Sequence, residues 1–307
     1  MKLDSVKLNL LKTIADLEAV PEGAYNVRAD GALLGRNVTA NIDIVTKADK
    51  PGIDILVKEG TKGERVDIPV LLTKTGLKDL VYNDFYIGEG ADVLIVAGCG
   101  IHNDGTELSQ HDGIHTFHVG RNAHIKYVEK HYGEGDGAGE RVLNPTTVIE
   151  IDEGGYMEMD TVQIKGVDST YRRTSAVLAA GAKLMITEKI MTHGRQSATT
   201  DFDVQLNGDD SSTHVISRSV AKGQSHQTFL LAVDGNARCV GHTECDAIVL
   251  DQGTVSAVPK VNANNVDARL VHEAAIGKIA GEQLDKLMTL GMSEHEAEDM
   301  IINGFLK

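Results

Sequence analysis

Tryptophan is absent from the 307-residue chain, aromatic residues make up only 4% of it, and there are three cysteines and five prolines. Each scarcity excludes something. A small, odd number of cysteines cannot make a disulfide framework, so in a reducing compartment these are thiols, either inert or free to bind metal. Basic residues are short as well: 30 lysines and arginines stand against 45 aspartates and glutamates, a net charge of −15. That balance argues against nucleic acid or an anionic membrane surface as a partner. No apolar run approaches the roughly 18 residues of a membrane-spanning helix. The opening residues, MKLDSVKLNLL, lack the apolar stretch and small-residue cleavage site of an export signal. The expectation is a soluble, cytoplasmic protein. A G-x-x-x-x-G-K-[ST] loop is missing too, so the chain has no cradle of its own for ATP phosphates. The nearest glycine motif, HYGEGDGAGE, is acidic and opens no helix; it reads as a loop.

What the chain does have is 41% apolar residues, enough for a core, and 32 glycines, enough for many tight turns. Residues 3–19 put Leu10, Ile14 and Leu17 on one helical stripe with Leu11 beside it, and Pro21 and Gly23 end the segment. From 24 to 262 the period changes to two. Val38, Ala40, Ile42 and Ile44 alternate with polar residues, as do Met157 with Met159 and Val204 with Leu206. Glycine, asparagine or aspartate punctuates nearly every segment. Many short strands with no helical pattern between them exclude a βαβ sheet and leave a sandwich, a barrel or a stacked β-solenoid. No fixed-period repeat selects among the three. After Val261 the period becomes helical again. Ile276, Ile279, Ala280, Gln283, Leu284, Leu287 and Met288 form a stripe, and Gly291 suits the position just past a helix end. Ser293 and Glu296 have capping-box spacing, with Ala297, Met300, Ile301 and Phe305 behind them. The expected organisation is an N-terminal helical segment (1–23), a β core (24–262) and a helical hairpin (263–307).

Candidate chemistry falls in three places. Cys99 follows the apolar run ADVLIVA and is flanked by Gly98 and Gly100, which would let a ligand or another backbone come close; the plain alternative is a small residue at a strand end. Six of the twelve histidines lie between 102 and 131, namely His102, His111, His115, His118, His124 and His131. They invite a cupin-type metal reading, but on one strand His115 and His118 point to opposite faces. Third, Cys239 and Cys245 are six residues apart, roughly 20 Å along a continuous strand. Only a turn at Gly241–His242 would bring both to one ion, and a lone strand cysteine is more often a buried small hydrophobe.

The stretch after Glu244 changes that balance. It carries Cys245–Asp246, Gly253, Pro259, Asn265 with Ala268, His272–Glu273–Ala274, Lys278–Ile279, Gln283–Leu284, Gly291 and Gly304–Phe305. This series resembles the carboxy-terminal signature of the SufB/SufD family, scaffold components of iron–sulfur cluster assembly. Val271 and Gly281 depart from it, standing where acidic residues are common. The resemblance implies a mainly β fold, a right-handed parallel β-helix with a short N-terminal helix and a C-terminal helical hairpin. It also implies a separate SufC-like ABC ATPase that docks on the tail, and a transient iron–sulfur cluster built where two scaffolds meet, in a homodimer or a SufB/SufD-like heterodimer. A sulfur donor and apoprotein acceptors complete the set of partners. On this reading Cys245 accepts sulfur or holds the cluster, Glu273 is an exchangeable oxygen ligand, His272 is a ligand or supports one, and Cys99 and Cys239 are further ligands. The chain would be an assembly scaffold rather than an enzyme. The other readings are a SufD-like structural subunit without a cluster, which Cys245 and Glu273 argue against, and a cupin-type metalloenzyme.

Overall fold

A strand with period-two polarity buries only one face, so strands of this kind need a second sheet opposite them. The computed structural model, which describes residues 3–307, shows how that need is met. Helix α1 (Ser5–Ala15) opens the chain. Then come β1 (Ala24–Ala29), β2 (Ala32–Asn37), β3 (Ile42–Thr46), β4 (Gly52–Val57), β5 (Lys62–Leu72), β6 (Lys78–Ile87) and β7 (Asp92–His102). The middle holds β8 (Ser109–Val119), β9 (His124–Glu134), β10 (Arg141–Leu143), β11 (Thr146–Ile151), β12 (Tyr156–Lys165), β13 (Ser169–Leu178) and β14 (Lys183–Thr192). The rest is β15 (Ser197–Leu206), β16 (Ser212–Ala221), β17 (His226–Gly235), β18 (Val240–Val249), β19 (Thr254–Ala263), β20 (Arg269–Gly277), α2 (Gly281–Thr289) and α3 (Glu294–Phe305).

From β5 onward successive strands alternate between two sheets and pair in parallel with the strand one full turn earlier. One sheet runs β2-β1-β5-β7-β9-β12-β14-β16-β18-β20; the other runs β19-β17-β15-β13-β10-β8-β6-β4-β3, with β11 beside β10 between β8 and β13. This is a parallel β-solenoid of about eight turns, so of the three β architectures the stacked one is realised. The sequence shows no fixed period because the length of a turn drifts along the solenoid. Partners stacked on one another are 32 residues apart at His118–Glu150 and Lys126–Glu158, 27 apart at Arg141–Asp168, and 28 apart at His226–Thr254. The corners are tight turns that need positive φ, supplied for instance by Gly181 (φ 65°) and Asn122 (φ 52°).

The inward faces of both sheets form one continuous core, from Ile42 and Phe85 through Ile125, Ile186 and Val204 to Val233. The first end is closed by the antiparallel pairs β1–β2 and β3–β4. The other end is open: β19 and β20 are the last strands of their sheets and are exposed or half-buried along their whole length. Helix α1, capped by the Asp4 side chain accepting from Lys7 N at 2.8 Å, lays Leu10 and Ile14 on the outside of β7. It ends at Ala15, so Leu17 packs from beyond the helix.

The tail differs from its expected form. Residues 269–277, which include the His272–Glu273–Ala274 triplet, are a strand of the solenoid, and the helices begin only at Gly281. The reason is pairing: Arg269–Gly277 finds a ready template in β18, residue for residue from Val240↔Arg269 to Ile248↔Gly277. The second helix starts as its capping box requires, with Ser293 Oγ accepting from Glu296 N, and Gly291 takes φ 96° before it. It is α3 that seats the tail, with Ile302, Phe305 and Leu306 packed on Val220, Met191 and Ile248. Helix α2 buries no residue fully. No helix is long and apolar enough to cross a membrane among the described residues.

Candidate functional site

The parity of each strand decides what faces the interior, and here several inward positions are polar. Cys99 on β7 points inward and is 5% exposed. Its flanking glycines serve the outer face instead. A Cβ on Gly98 would come within 2.5 Å of the Ile14 carbonyl oxygen, and one on Gly100 within 3.1 Å of Leu10. The close approach that these glycines permit is that of α1, not of a ligand.

Inside, Cys99 meets two imidazoles. Burial pushes its thiol up, but His111 and then His131 outweigh that and bring it down to about 7. Burial pulls His111 down in turn, and the Cys99 charge together with Asp79 overcomes it and lifts the imidazole to about 10. His111 Nδ1 lies 3.1 Å from Asp79 Oδ2, and Asp79 Oδ1 accepts from Arg28 at 2.9 Å. Gly113 keeps the space between His111 and His115 clear; a Cβ there would sit 3.3 Å from Nε2 of each. Asp79 orients His111 through Nδ1, and the buried Nε2 of His111 makes no hydrogen bond, which leaves an acid, a base and an ionisable thiol in one buried neighbourhood that would suit a thiolate nucleophile. An ultraviolet thiolate titration should show one step near pH 7 that disappears in Cys99→Ser and moves up in His111→Gln. An unchanged step in both variants would rule the pair out.

Deeper in, Arg172 from β13 is the largest fully buried side chain. It pairs with Glu129, sits with Nε 3.3 Å from Glu188 Oε1, and donates from Nη2 to His131 Nδ1 at 3.2 Å. Glu129 also accepts from the Tyr127 hydroxyl at 3.0 Å, and Glu188 accepts from Thr200 and Ser217, each at 2.9 Å. Burial pushes the Glu129 carboxyl up, but His131 and Arg172 overcome it and hold the group well below the usual carboxylate range. At Glu188 burial prevails over Arg172 and the group is raised.

Register then sets Glu129, Thr161, Glu188, Ser217 and Cys245 in one inward file, one strand apart each. Cys245 ends it, 1% exposed, and opposite Ala274 of the last strand. Burial first, then Glu188 and Asp246, push its thiol up to about 12, so it is held protonated. Cys239 lies just before the start of β18, buried at the corner beside Gly235, and burial raises its thiol too. Because β18 runs extended through Gly241–His242, the two thiols stay roughly 20 Å apart. Cys99 and Cys245 are separated by five strand spacings, roughly 24 Å. The three cysteines therefore belong to three separate locations.

Glu273 and His272 divide by parity. Thr243 and His272 share the inward face, with Thr243 Oγ1 2.8 Å from His272 Nδ1. Glu273 points outward, paired across the strands with Glu244, and its side chain is 66% exposed. It is on the opposite side of the sheet from Cys245.

The histidine group splits in the same way. His111, His115 and His131 are buried, whereas His102, His118 and His124 lie on the outer surface beside Glu134, Glu150 and Asp92. His115 Nδ1 bonds the Tyr127 hydroxyl at 2.8 Å and its Nε2 accepts from Asn83, an arrangement for neutral imidazole, and burial pulls it down to about 4. These residues gather no common metal position, and a solenoid is not a cupin barrel. Among the described residues, metal-ligand spacing occurs instead at His214, His242 and Glu244. Sequence reasoning passed over those three and also Asp79, Glu129, Arg172 and Glu188. For the buried ones a signal exists: Glu129 shares parity with Ile125 and Tyr127, and Glu188 with Leu184, Ile186 and Ile190.

The comparisons with known proteins agree with this architecture. Residues 82–305 match the family model described as SUF system FeS cluster assembly, SufBD core domain. A protein of Methanocaldococcus jannaschii named as an iron–sulfur cluster assembly SufBD family protein is 28% identical over 255 residues, covering 82% of this chain and 79% of that one. The same family name is carried by a protein of Archaeoglobus fulgidus, 29% identical across 80% of this chain and 66% of its own length, and by one of Pyrococcus horikoshii, 25% identical across 98% and 96%. With the solenoid, the carboxy-terminal helices and most of the length accounted for, the chain belongs to the SufBD family of iron–sulfur cluster assembly proteins.

Proposed function

We propose that this chain is a scaffold on which an iron–sulfur cluster is assembled, with iron and sulfur as cargo. The observation that carries the reading is the position of Cys245, an inward thiol one strand from an end of the solenoid that no strand covers among the described residues. An uncovered end with unpaired β19 and β20 edges invites a second solenoid, because edge strands are templates for pairing. A second copy of this chain or a related subunit stacked there would bring a second set of ligands towards Cys245. Thiolates hold iron and sulfane sulfur, and His272 on the adjoining strand shares the inward face and can supply a nitrogen donor, whereas Glu273 faces the other side of the sheet. Cys245 favours this over a purely structural role.

Work on a cluster buried at such a junction needs a force, and the chain carries no phosphate-binding loop. The driver would be a SufC-like ABC ATPase docked on the tail. Helix α2 offers the surface: Met288 is 42% exposed and Leu290 74%, beside the half-buried Leu284 and Leu287. ATP-driven closure of two such ATPases would pull the paired tails and open the junction to sulfur and iron.

Anaerobic reconstitution with ferrous iron and sulfide tests the scaffold role through visible absorption and bound iron and sulfide. A colourless protein with neither would reject it. Docking is tested separately. Met288→Glu with Leu290→Glu should abolish co-purification of a co-expressed ABC ATPase while leaving the melting temperature unchanged, since α2 buries no residue fully. Retention of the ATPase at unchanged affinity would remove the tail from the mechanism.

A further inference from the structure

On the outer face of the first sheet, away from every cysteine, β16, β18 and β20 set four side chains together. Register stacks His214 on His242, and Ile216, Glu244 and Glu273 in the next row. The two imidazoles are stacked, with ring centres 4.9 Å apart and planes within 4° of parallel. His214 Nε2 is 3.1 Å from Glu244 Oε1; His242 Nε2 is 3.7 Å from that same oxygen and 3.7 Å from Glu273 Oε1. His242 Nε2 is buried and makes no hydrogen bond. Among the described residues, neither Glu244 nor Glu273 has a lysine or arginine partner. Two carboxylates and two imidazoles thus converge with no cation among them.

We propose that His214, His242 and Glu244, with Glu273 as the fourth donor, form a mononuclear site for a divalent transition-metal ion of the zinc, cobalt or ferrous class. Three arguments carry it. An ion with bonds of about 2.0–2.2 Å holds tetrahedral ligand atoms about 3.4 Å apart; three of the contacts, at 3.1, 3.7 and 3.7 Å, are near that edge, and the donor atoms of His214, His242 and Glu244 all lie within 4.8 Å of one another, with Glu273 reaching the group through His242. The donors are imidazole and carboxylate, which suit these ions and not the all-oxygen shells of calcium or magnesium. Finally, a cation would give the buried, unbonded Nε2 of His242 a partner and would offset the two carboxylate charges. The parallel strands set the side chains at neighbouring register positions, and a ring rotation that breaks the parallel stack of His214 on His242 would bring both imidazole lone pairs to one ion. It is independent of the thiols: Cys245 faces the interior from the same strand. It therefore goes beyond the scaffold reading and does not need it.

The test uses the whole chain, stripped with a chelator and titrated with zinc, with cobalt as a spectroscopic substitute. One ion per chain is expected. Cobalt should give the visible bands of a tetrahedral nitrogen–oxygen site, without intense sulfur-to-metal absorption, and these should be unchanged in Cys245→Ser. His214→Ala and His242→Ala should each weaken binding by about tenfold or more, at the scale that ligand-shell changes produce, with the far-ultraviolet spectrum preserved. His242→Gln serves as a second variant should the alanine form fold poorly. Magnesium should not compete. Zinc binding that is absent, or unchanged in both histidine variants, overturns the site. So does a cobalt spectrum dominated by sulfur absorption that Cys245→Ser removes. Failure here leaves cluster reconstitution through Cys245 untouched, and failure of reconstitution leaves this site untouched.

Discussion

Arg172→Met is expected to cost the fold about 3–5 kcal/mol, the range for breaking a buried ion pair from one side. The guanidinium stands between Glu129 and Glu188, all three at 1–2% side-chain exposure, so its loss strands two carboxylates in the core. Methionine fills similar volume, which separates the charge effect from a cavity. Thermal unfolding followed by circular dichroism should fall by on the order of 10 °C. The pH dependence should also reverse. In the native chain Glu129 is held below its ordinary value, so its stabilisation is present above the ordinary carboxylate range and is lost as pH falls through the depressed one. Without Arg172 nothing cationic opposes burial at Glu188, which is already raised, while His131 still holds Glu129 down, so the variant should lose stability as pH rises through the further-raised Glu188 range. Adding Glu129→Gln and Glu188→Gln should restore much of the loss. A single variant within 1 kcal/mol of the native chain would mean that the ion cluster is neutral to the fold.

This cluster also marks the limit of what could be read from the residues alone. Period-two polarity and turn glycines identify the strands well, because each strand buries one face and each corner needs positive φ. The helix at the start and the capping box at Ser293–Glu296 are equally local signals, and they appear where expected. Which strands lie side by side is another matter. Partners sit 27–32 residues apart with a drifting offset, and nothing local encodes it. The file from Glu129 to Cys245 exists only through that register, as does the His214–His242 stack. The strand at 269–277 is hidden in the sequence for the same reason: its alternation is too short to outweigh the helical stripe that follows, and only β18 beside it decides the matter. Family resemblance placed Cys245, Glu273 and His272 in one functional neighbourhood, and parity then put Glu273 outside the sheet and the other two inside.

Cys245→Ser should leave the fold intact and reduce iron and sulfide uptake to near background. The hydroxyl matches the thiol closely enough in size to keep the packing against Ser217 and Ala274, so the melting temperature should move by no more than about 1–3 °C for a change near 1 kcal/mol. What it cannot replace is a soft thiolate ligand. The thiol's elevated state, up to about 12, adds a second expectation. Buried and protonated, Cys245 should resist alkylation at neutral pH in the isolated chain, while Cys99, near 7, carries the thiolate but is shielded by its burial inside the solenoid. If an ATPase opens the junction beside β20, water and iron reach Cys245, its desolvation penalty falls, and it ionises. Mass-spectrometric alkylation should then label Cys245 many-fold faster in the ATPase complex with ATP than without it, and the label should block reconstitution. Rapid labelling of the isolated chain would show that the end strand already admits solvent, and the need for a mechanical opening step would be gone. Full iron and sulfide incorporation by Cys245→Ser would remove this thiol from the cluster altogether.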